Sequence, residues 1–276
     1  MKLLVNDIFT GKTILEFLNY YSVGKKTIHK LKDGLIVNGK SESLDFKLVH
    51  GDMLYFDLNI LEASNIKPYP GAIDILYEDE DILIVDKPAS LLVHPDGNAT
   101  DTLANRVSFY YQSQGKFNQA KHIHRLDYDT RGIVVFTKHF LASSFLGNQL
   151  EEQKIKRLYI ALCHGKFRQL KGTIDKPLAR NRHNKKQRVT SKGKKAITKY
   201  RVLENGEVSK VEVEIITGRK HQIRVHMASI NHPILGDKLY GLDYGHKLML
   251  YASKISFIHP RTLKSFSYSK EARFGF

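Results

Sequence analysis

The sequence predicts an α+β protein in which a mixed, largely antiparallel sheet domain follows a small N-terminal α/β unit. Two observations carry this prediction. Apolar strand patterns outnumber helical ones, and they do not alternate regularly with helices as a doubly wound fold requires. At 276 residues, the chain is long enough for one large domain with a sizeable core and one small additional unit.

The N-terminal unit, which we place at residues 1–62, combines two short helices with a small hairpin-like sheet. Apolar residues between Ile14 and Leu18 predict the first helix. The second runs from Lys25 to Lys32 and is ended by Asp33 and Gly34. A strand, a tight turn and a second strand are predicted at residues 35–37, 38–39 and 53–58.

A linker at residues 63–71, marked by Pro68 and Pro70, separates this unit from a larger domain at residues 72–276. The larger domain is built mainly from strands, several of them short, continuous and apolar as central strands are. The predicted central strands are 82–85, 132–137 and 157–162, a helix spans 140–150, and further strands are 211–215, 248–252 and 254–258.

The composition indicates a polyanionic partner. Lys and Arg outnumber Asp and Glu by 44 to 28, which gives a formal net charge of +16. Such an excess repels itself in a compact fold, so nucleic acid is the favoured partner, and a merely soluble basic protein is the alternative. Cys163 is the only cysteine, which excludes an internal disulfide and a cysteine-rich zinc site. With no long apolar stretch and no signal pattern, we expect a soluble, cytoplasmic protein.

The most informative segment is the run from His124 to Gly132, which an apolar stretch follows. It places Asp127 beside Arg125 in a polar turn that enters a strand buried on both faces. A carboxylate at such a position is fixed by the scaffold yet open to a cleft. By position alone, a structural aspartate that caps the turn is an equally good interpretation.

Three further segments, together with the run around Asp127, form an ordered set of sequence motifs. They span residues 78–95, 156–165 and 217–237. Together with the run around Asp127, they resemble the motifs of the RluA-type pseudouridine synthases, enzymes that isomerise uridine within RNA. The resemblance covers about Ile73 to Phe266. It implies a pseudouridine-synthase-type fold, an RNA partner and no cofactor.

The resemblance implies catalytic roles for three residues. Asp127 would act on the sugar or base of the target uridine, because a carboxylate can stabilise or capture the positive charge that develops at the anomeric carbon. Arg224 would pair with Asp127, keep it ionised and orient it through two hydrogen bonds, with a phosphate contact as the alternative. Tyr159 would stack on the uracil and assist proton transfer, although a tyrosine on an apolar strand is more often a core residue.

Basic residues near these motifs are candidates for RNA contacts. Arg125 would fill the gap left by a flipped nucleotide or bind its phosphate, and Arg219 would bind a phosphate. A long basic loop between 180 and 199, expected to be mobile without RNA, would add phosphate contacts unless it is simply solvated. Its candidate residues are Arg180, Arg182, Lys185, Lys186, Arg188 and Lys192.

The N-terminal unit supplies the last candidates. From about Lys12 to Leu58, it resembles the small RNA-binding domain named after a ribosomal small-subunit protein. Lys25 and Lys26 would then contact RNA, whereas in an ordinary α/β appendage they would form a solvated face. Because a similar unit is found in ribosomal-RNA enzymes, we expect ribosomal RNA to be favoured over transfer RNA as the substrate.

The sequence does not predict a metal site, because no HExxH motif occurs and the histidine pairs lack the spacing of two ligands on one helix face. We therefore expect a monomeric isomerase that uses neither metal nor cofactor. Two other functions stay open. One is a catalytically idle RNA-binding or ribosome-assembly factor on the same fold, and the other is a nucleic-acid glycosylase that uses the same carboxylate with water.

Overall fold

The computed structural model describes residues 1–57, 66–97, 99–115, 120–181, 186–241, 245 and 247–274. It is an α+β structure, as the sequence predicts, whose largest sheet has ten strands. Nearly all neighbouring strands in that sheet are antiparallel; within the described part of the chain, the parallel pair is β8 (Arg131–Thr137) with β15 (Leu250–Ile258). No helix of the described residues is long and apolar enough to cross a membrane.

The first 57 residues form a four-stranded antiparallel sheet with two helices. Its strands pair in the order β1-β4-β2-β3. The elements are β1 (Lys2–Leu4), α1 (Ile14–Tyr20), α2 (Lys25–Leu31), β2 (Leu35–Val37), β3 (Lys40–Ser41) and β4 (Met53–Phe56). Helix α1 begins with a capping box, in which the Thr13 hydroxyl accepts from Glu16 N–H and the Glu16 carboxylate accepts from Thr13 N–H. Both helices and both strands expected from the sequence are therefore present, although Leu58 lies outside the described residues.

The apolar core of this N-terminal part continues into the rest of the molecule. Phe17, Leu18 and Leu31 belong to a buried cluster that also contains Leu141, from helix α4 (Phe140–Glu151). The Tyr21 hydroxyl donates a hydrogen bond of 2.9 Å to the Pro260 carbonyl. The N-terminal part is consequently packed against α4 rather than tethered to it.

The predicted boundary of the N-terminal unit falls on residues 58–65, which lie outside the described ranges. The second half of the predicted linker contacts helix α3 (Leu103–Ser113). Asn105 Nδ2 donates to the Lys67 carbonyl at 2.7 Å, and the Tyr69 amide donates to the Asn105 carbonyl at 3.1 Å. The domain division stays a prediction.

The large sheet follows the order β10-β13-β14-β9-β15-β8-β6-β5, with β16 paired to β15 and β7 to β8. Its strands not yet given are β5 (Asp74–Glu78), β6 (Ile82–Lys87), β7 (Lys121–His122), β9 (Lys156–His164), β10 (Lys171–Asp175), β13 (Ile197–Glu204), β14 (Val208–Ile215) and β16 (Ser265–Ser269). A separate hairpin consists of β11 (Leu178–Arg180) and β12 (Gln187–Val189), and helix α5 (Gln222–Ala228) follows β14. The predicted strands at 82–85, 132–137, 157–162 and 211–215 and the helix at 140–150 are confirmed.

Two predictions about this domain were wrong. Residues 248–252 and 254–258 are not two strands, because β15 continues through a register shift between Ala252 and Lys254 opposite β9. The basic segment from 180 to 199 is not one long loop, since it contains β12 and the start of β13. The base of the β11–β12 hairpin is held by an apolar cluster of Leu178, Ala196 and Val225.

Three adjacent strands place small and large side chains in one row across the sheet. Tyr159 of β9 lies opposite Ala252 of β15, and Ala252 lies opposite Gly132 of β8. Gly132 has φ +114°, and an added Cβ would lie 2.6 Å from the Ala252 nitrogen, so a larger residue would separate β8 from β15. Since neighbouring strands are about 4.8 Å apart, this row holds Tyr159 about 10 Å from the start of β8.

The continuous core yields a stability prediction. Leu141→Ala should lower the free energy of unfolding by about 2–5 kcal/mol, because Leu141 is fully buried against the N-terminal part and its truncation leaves a cavity. Urea unfolding measures this loss, with Leu170→Ala as the matched control, since Leu170 is 55% exposed. Equal losses in the two variants would contradict a core shared between the N-terminal part and α4.

Candidate active site

The predicted catalytic carboxylate lies in a tight turn that directly precedes β8. The Thr130 amide donates to the Asp127 carbonyl at 3.1 Å and closes this turn. Asp127 has a side chain that is 20% exposed, so it is held by the scaffold but reachable from solvent.

A buried lysine fixes the turn from below. Lys87, at the end of β6, is fully buried, and its Nζ donates to the carbonyls of Pro88, Leu91 and Tyr128 at 2.8, 2.7 and 3.0 Å. Three acceptors match the three protons of an ammonium group. Burial lowers the pKa of Lys87 to about 7, against the opposing effect of nearby carboxylates that include Asp127. Lys87 therefore ties the backbone beside Asp127 to the end of β6.

Arg224 of α5 lies close to Asp127, but its two-bond partner is a different residue. Arg224 Nη1 lies 4.0 Å from Asp127 Oδ2, whereas Nε and Nη2 donate to Asp237 at 2.8 and 2.6 Å. The expectation that Arg224 orients Asp127 bidentately was wrong, because the fully buried Asp237 already occupies the guanidinium fork. Asp237 instead holds Arg224 so that its remaining nitrogen faces Asp127.

A second basic side chain, His221, faces the other oxygen of the Asp127 carboxylate. His221 Nε2 lies 4.0 Å from Asp127 Oδ1, and its Nδ1 lies 2.9 Å from the Tyr240 hydroxyl. That hydroxyl accepts from the Gln187 amide at 2.7 Å, so its own proton is available to His221 Nδ1. In this arrangement neutral His221 carries its ring proton on Nε2, toward Asp127. Burial lowers the pKa of His221, which favours this neutral form near pH 7.

The segment before α5 is locked in place by a buried glutamine. Gln222 Oε1 accepts from the Thr217 hydroxyl and the Arg219 amide, at 2.8 and 3.0 Å. Its Nε2 donates to the Ile197 carbonyl and the Thr198 hydroxyl of β13, both at 3.0 Å. His221 itself adopts a left-handed backbone conformation with φ +55° at the start of α5. These contacts fix where α5 begins, and hence where His221 and Arg224 point.

Asp127, Arg224 and His221 line one cavity of about 450 Å³. Tyr159 lies on its wall and is 5% exposed. Burial raises the pKa of Tyr159 to about 12, with Arg157 opposing the rise, so its hydroxyl stays protonated at neutral pH. The three residues predicted to be catalytic are thus brought to the same cavity, which has a size typical of ligand sites.

The comparisons with known proteins agree with this geometry. A family model described as RNA pseudouridylate synthase matches residues 81–229, more than half of the chain. A Bacillus subtilis (strain 168) protein named as an uncharacterized RNA pseudouridine synthase is 43% identical over 276 residues, covering 95% of this chain and 90% of that protein. The chain belongs to the RluA-type RNA pseudouridine synthases.

One further relative supports the family assignment, and one solved structure supports the fold. Ribosomal large subunit pseudouridine synthase D of Escherichia coli (strain K12) is 38% identical over 215 residues, which cover 76% of this chain and 66% of that protein. The solved structure of human RNA Pseudouridylate Synthase Domain Containing 1 matches with a TM-score of 0.61 over 74% of this chain and 86% of that one. At 24% identity, the latter supports the fold alone. The chain is accordingly an isomerase of RNA uridines.

The predicted RNA contacts of this synthase are mostly exposed. Arg125 projects beside His94, with Nη1 3.5 Å from His94 Nε2. Arg219 lines the cavity and donates to the Lys195 carbonyl at 3.0 Å. The other exposed candidates are Lys25 and Lys26 on α2 and Arg180, Lys186, Arg188 and Lys192 around the β11–β12 hairpin. Arg182 and Lys185 lie outside the described residues.

Sequence reasoning missed three residues that position the synthase site. His221 and Asp237 were noted only as parts of a motif. In the fold, Asp237 binds Arg224, and His221 faces the same carboxylate as Arg224. Lys87 was likewise seen only as part of the first motif. A lysine at the end of an apolar strand is a weak signal of burial, and its carbonyl partners are visible only in three dimensions.

One group of side chains has the composition of a metal site. Asp79, Asp81 and His259 could offer three ligand atoms among the described residues. The group lies at the start of β6, whereas the Asp127 turn is tied to its end. Asp81 is already bound by Arg261 at 2.5 Å and His139 at 2.8 Å, and His259 binds Asp79 at 2.8 Å. We therefore interpret it as an ion-pair network that joins the turn before β6 to α4.

The burial of Lys87 yields a pH prediction. A group whose pKa is lower in the folded chain than in the unfolded chain binds fewer protons when folded, so stability rises with pH between the two values. For Lys87 these are about 7 and the ordinary value of 10.5. Relative to Lys87→Met, the wild type should gain unfolding free energy as the pH rises through this window.

Urea unfolding at several pH values measures this difference. Below the window, Lys87 is protonated in both states and the difference between the two proteins should be constant. Parallel profiles throughout the window would show that Lys87 titrates alike in the folded and unfolded chains, contrary to its burial.

Proposed function

We propose that this synthase isomerises specific uridines in structured RNA, with ribosomal RNA favoured, and that Asp127 acts on the target nucleotide without a metal or cofactor. The observation that carries the proposal is the Asp127 carboxylate in an open cavity with Arg224 and His221 each 4.0 Å away. Both neighbours face the carboxylate, Arg224 toward one oxygen and His221 toward the other, while the cavity leaves room for a nucleotide.

The proposed chemistry rearranges atoms within one nucleotide. The bond between the anomeric carbon and uracil N1 breaks, and positive charge at that carbon is stabilised or captured by the Asp127 carboxylate. Uracil leaves as a delocalised anion, turns within the cavity and is recaptured through carbon 5. The proton of carbon 5 is released and N1 regains one, so no water and no electrons are consumed.

Tyr159 and Arg224 have distinct parts in this scheme. Tyr159, on the cavity wall, would stack its ring on the displaced uracil and use its protonated hydroxyl to assist proton transfer from carbon 5. Arg224 acts on Asp127 through its charge, since its other nitrogens are engaged by Asp237. His221 presents its Nε2 to the other carboxylate oxygen at 4.0 Å.

RNA would be bound by exposed basic surfaces as well as by the cavity. Exposed basic residues of α2 and of the β11–β12 hairpin supply phosphate contacts, and Arg125 stands at the cavity entrance to occupy the space of a flipped nucleotide. The N-terminal part, placed at residues 1–62, would act as an RNA-binding module on a monomeric enzyme. Ribosomal RNA is favoured because one relative is named for the large ribosomal subunit, and such an enzyme would work in the cytoplasm.

The proposal is tested with RNA labelled with tritium at carbon 5 of uridine. The wild type should release tritium from ribosomal RNA that lacks pseudouridine, and less from transfer RNA, because the proton of carbon 5 must leave. The RNA should keep its mass and chain continuity.

Other outcomes separate the rival functions. Free uracil and an abasic RNA would identify a glycosylase. Tight binding of both RNA pools without tritium release or mass change would identify an RNA-binding or assembly factor. Greater release from transfer RNA would overturn the favoured substrate while preserving the reaction.

A further inference from the structure

The cavity around Asp127 collects buried polar atoms that have no protein partner. Nine such side-chain atoms occur among the described residues, and five line this cavity. They are His122 Nδ1, both ring nitrogens of His124, Thr130 Oγ1 and Arg157 Nε. Native proteins satisfy most buried polar groups, so a concentration of exceptions indicates a surface whose hydrogen bonds are completed by solvent or a ligand.

Arg157 is the charged member of this set. It lies on β9 two residues before Tyr159 and on the same face, which places the two Cα atoms about 6–7 Å apart. Arg157 is 8% exposed, and no carboxylate lies within ion-pair distance of it in the part of the chain that the structure describes. Gly218 packs on its guanidinium, since an added Cβ there would lie 3.2 Å from Nη1.

The neighbours of Arg157 do not neutralise its charge. Burial, followed by the charge of Arg157, lowers the pKa of His124 to about 3, and burial lowers that of His122 to about 4. Both rings are therefore neutral at working pH. The Asp127 carboxylate faces Arg224 and His221 instead.

We propose that Arg157 binds a backbone phosphate that flanks the target uridine, and so seats the nucleotide between Asp127 and Tyr159. A buried cation without a counter-ion is unfavourable, and an incoming anion relieves that cost. Phosphates are the anions of RNA, and the planar guanidinium fork matches their geometry. Uracil carbonyls are neutral and would leave the charge uncompensated. This inference rests on the proposed function for its RNA substrate.

This role differs from that of the exposed basic residues. Arg125 and Arg219 can attract RNA before any nucleotide has left the helix, whereas Arg157 is reached only from within the cavity. Its contact should therefore form when the target nucleotide is seated. Loss of Arg157 should reduce the rate at saturating RNA more than the affinity for the whole RNA.

The first test needs no mapped target. Intact protein is titrated with uridine 3′,5′-bisphosphate and with uridine, followed by NMR or calorimetry. The wild type should bind the bisphosphate at least about tenfold more tightly than the nucleoside, as a charge-assisted contact provides. Arg157→Met should lose most of this preference, and Arg157→Lys should keep part of it. Lys156→Met is the matched control, because Lys156 is the exposed neighbour on the opposite face, and it should retain the preference.

Stability separates a ligand-binding arginine from a structural one. Replacing a buried, unpaired arginine by an apolar residue of similar length is neutral or stabilising, so Arg157→Met should unfold at no lower urea concentration than the wild type. If Arg157 were structural, Arg157→Met would unfold at a lower urea concentration than the wild type. Retention of the bisphosphate preference by folded Arg157→Met would overturn the proposal, as would a wild type without that preference.

A second readout uses turnover. Once a target uridine is mapped, neutral methylphosphonates are placed at its two flanking phosphates. At one of the two positions, the methylphosphonate should slow turnover by the wild type at least about tenfold. The same methylphosphonate should not slow Arg157→Met any further. Equal sensitivity in both proteins would overturn the phosphate contact while the isomerase stands. If the wild type forms no pseudouridine but its bisphosphate preference depends on Arg157, the phosphate site stands and the proposed function fails.

Discussion

The site depends on one constraint: the turn that carries Asp127 and the helix that carries Arg224 must meet at 4.0 Å, although they come from distant parts of the chain. Each side of this meeting point is fixed by a buried, hydrogen-bonded side chain. Lys87 holds the turn through three carbonyls, and Asp237 holds the guanidinium of Arg224 through two hydrogen bonds. Within the described part of the chain, the two basic groups that face the Asp127 carboxylate both lie 4.0 Å away, which leaves its oxygens open to a substrate.

Close packing between strands β8 and β15 positions Tyr159 beside this site. Gly132 and Ala252 are small residues in the row that ends at Tyr159, and the backbone of β8 approaches β15 too closely for a side chain at Gly132. Tyr159, at the end of this closely packed row, is the member of the row that lines the cavity. The basic residues of the cavity lining differ in exposure, because Arg125, Arg219 and Lys220 are exposed whereas Arg157 is buried.

Much of this arrangement could be predicted from the sequence, for reasons that differ between elements. The strand after Asp127 and the helix at 140–150 were predictable because apolar periodicity is a local property. The Arg224–Asp237 pair was not, since nothing in the sequence decides which of two carboxylates occupies the guanidinium fork. The β11–β12 hairpin was missed because its basic composition resembles that of a solvated loop, while a few apolar residues at its base hold it. The continuity of β15 depends on a bulge opposite β9, which only the pairing reveals.

The most direct test of the account compares Asp127→Asn with Asp129→Asn, a matched change two residues along the same turn. Single-turnover formation of pseudouridine and equilibrium RNA binding are measured for both. Asp127→Asn should lose at least about a hundredfold in rate with RNA affinity retained, and Asp129→Asn should keep its turnover. Turnover by Asp127→Asn close to the wild-type rate would contradict the assignment of the reacting carboxylate and, with it, the proposed organisation of the site.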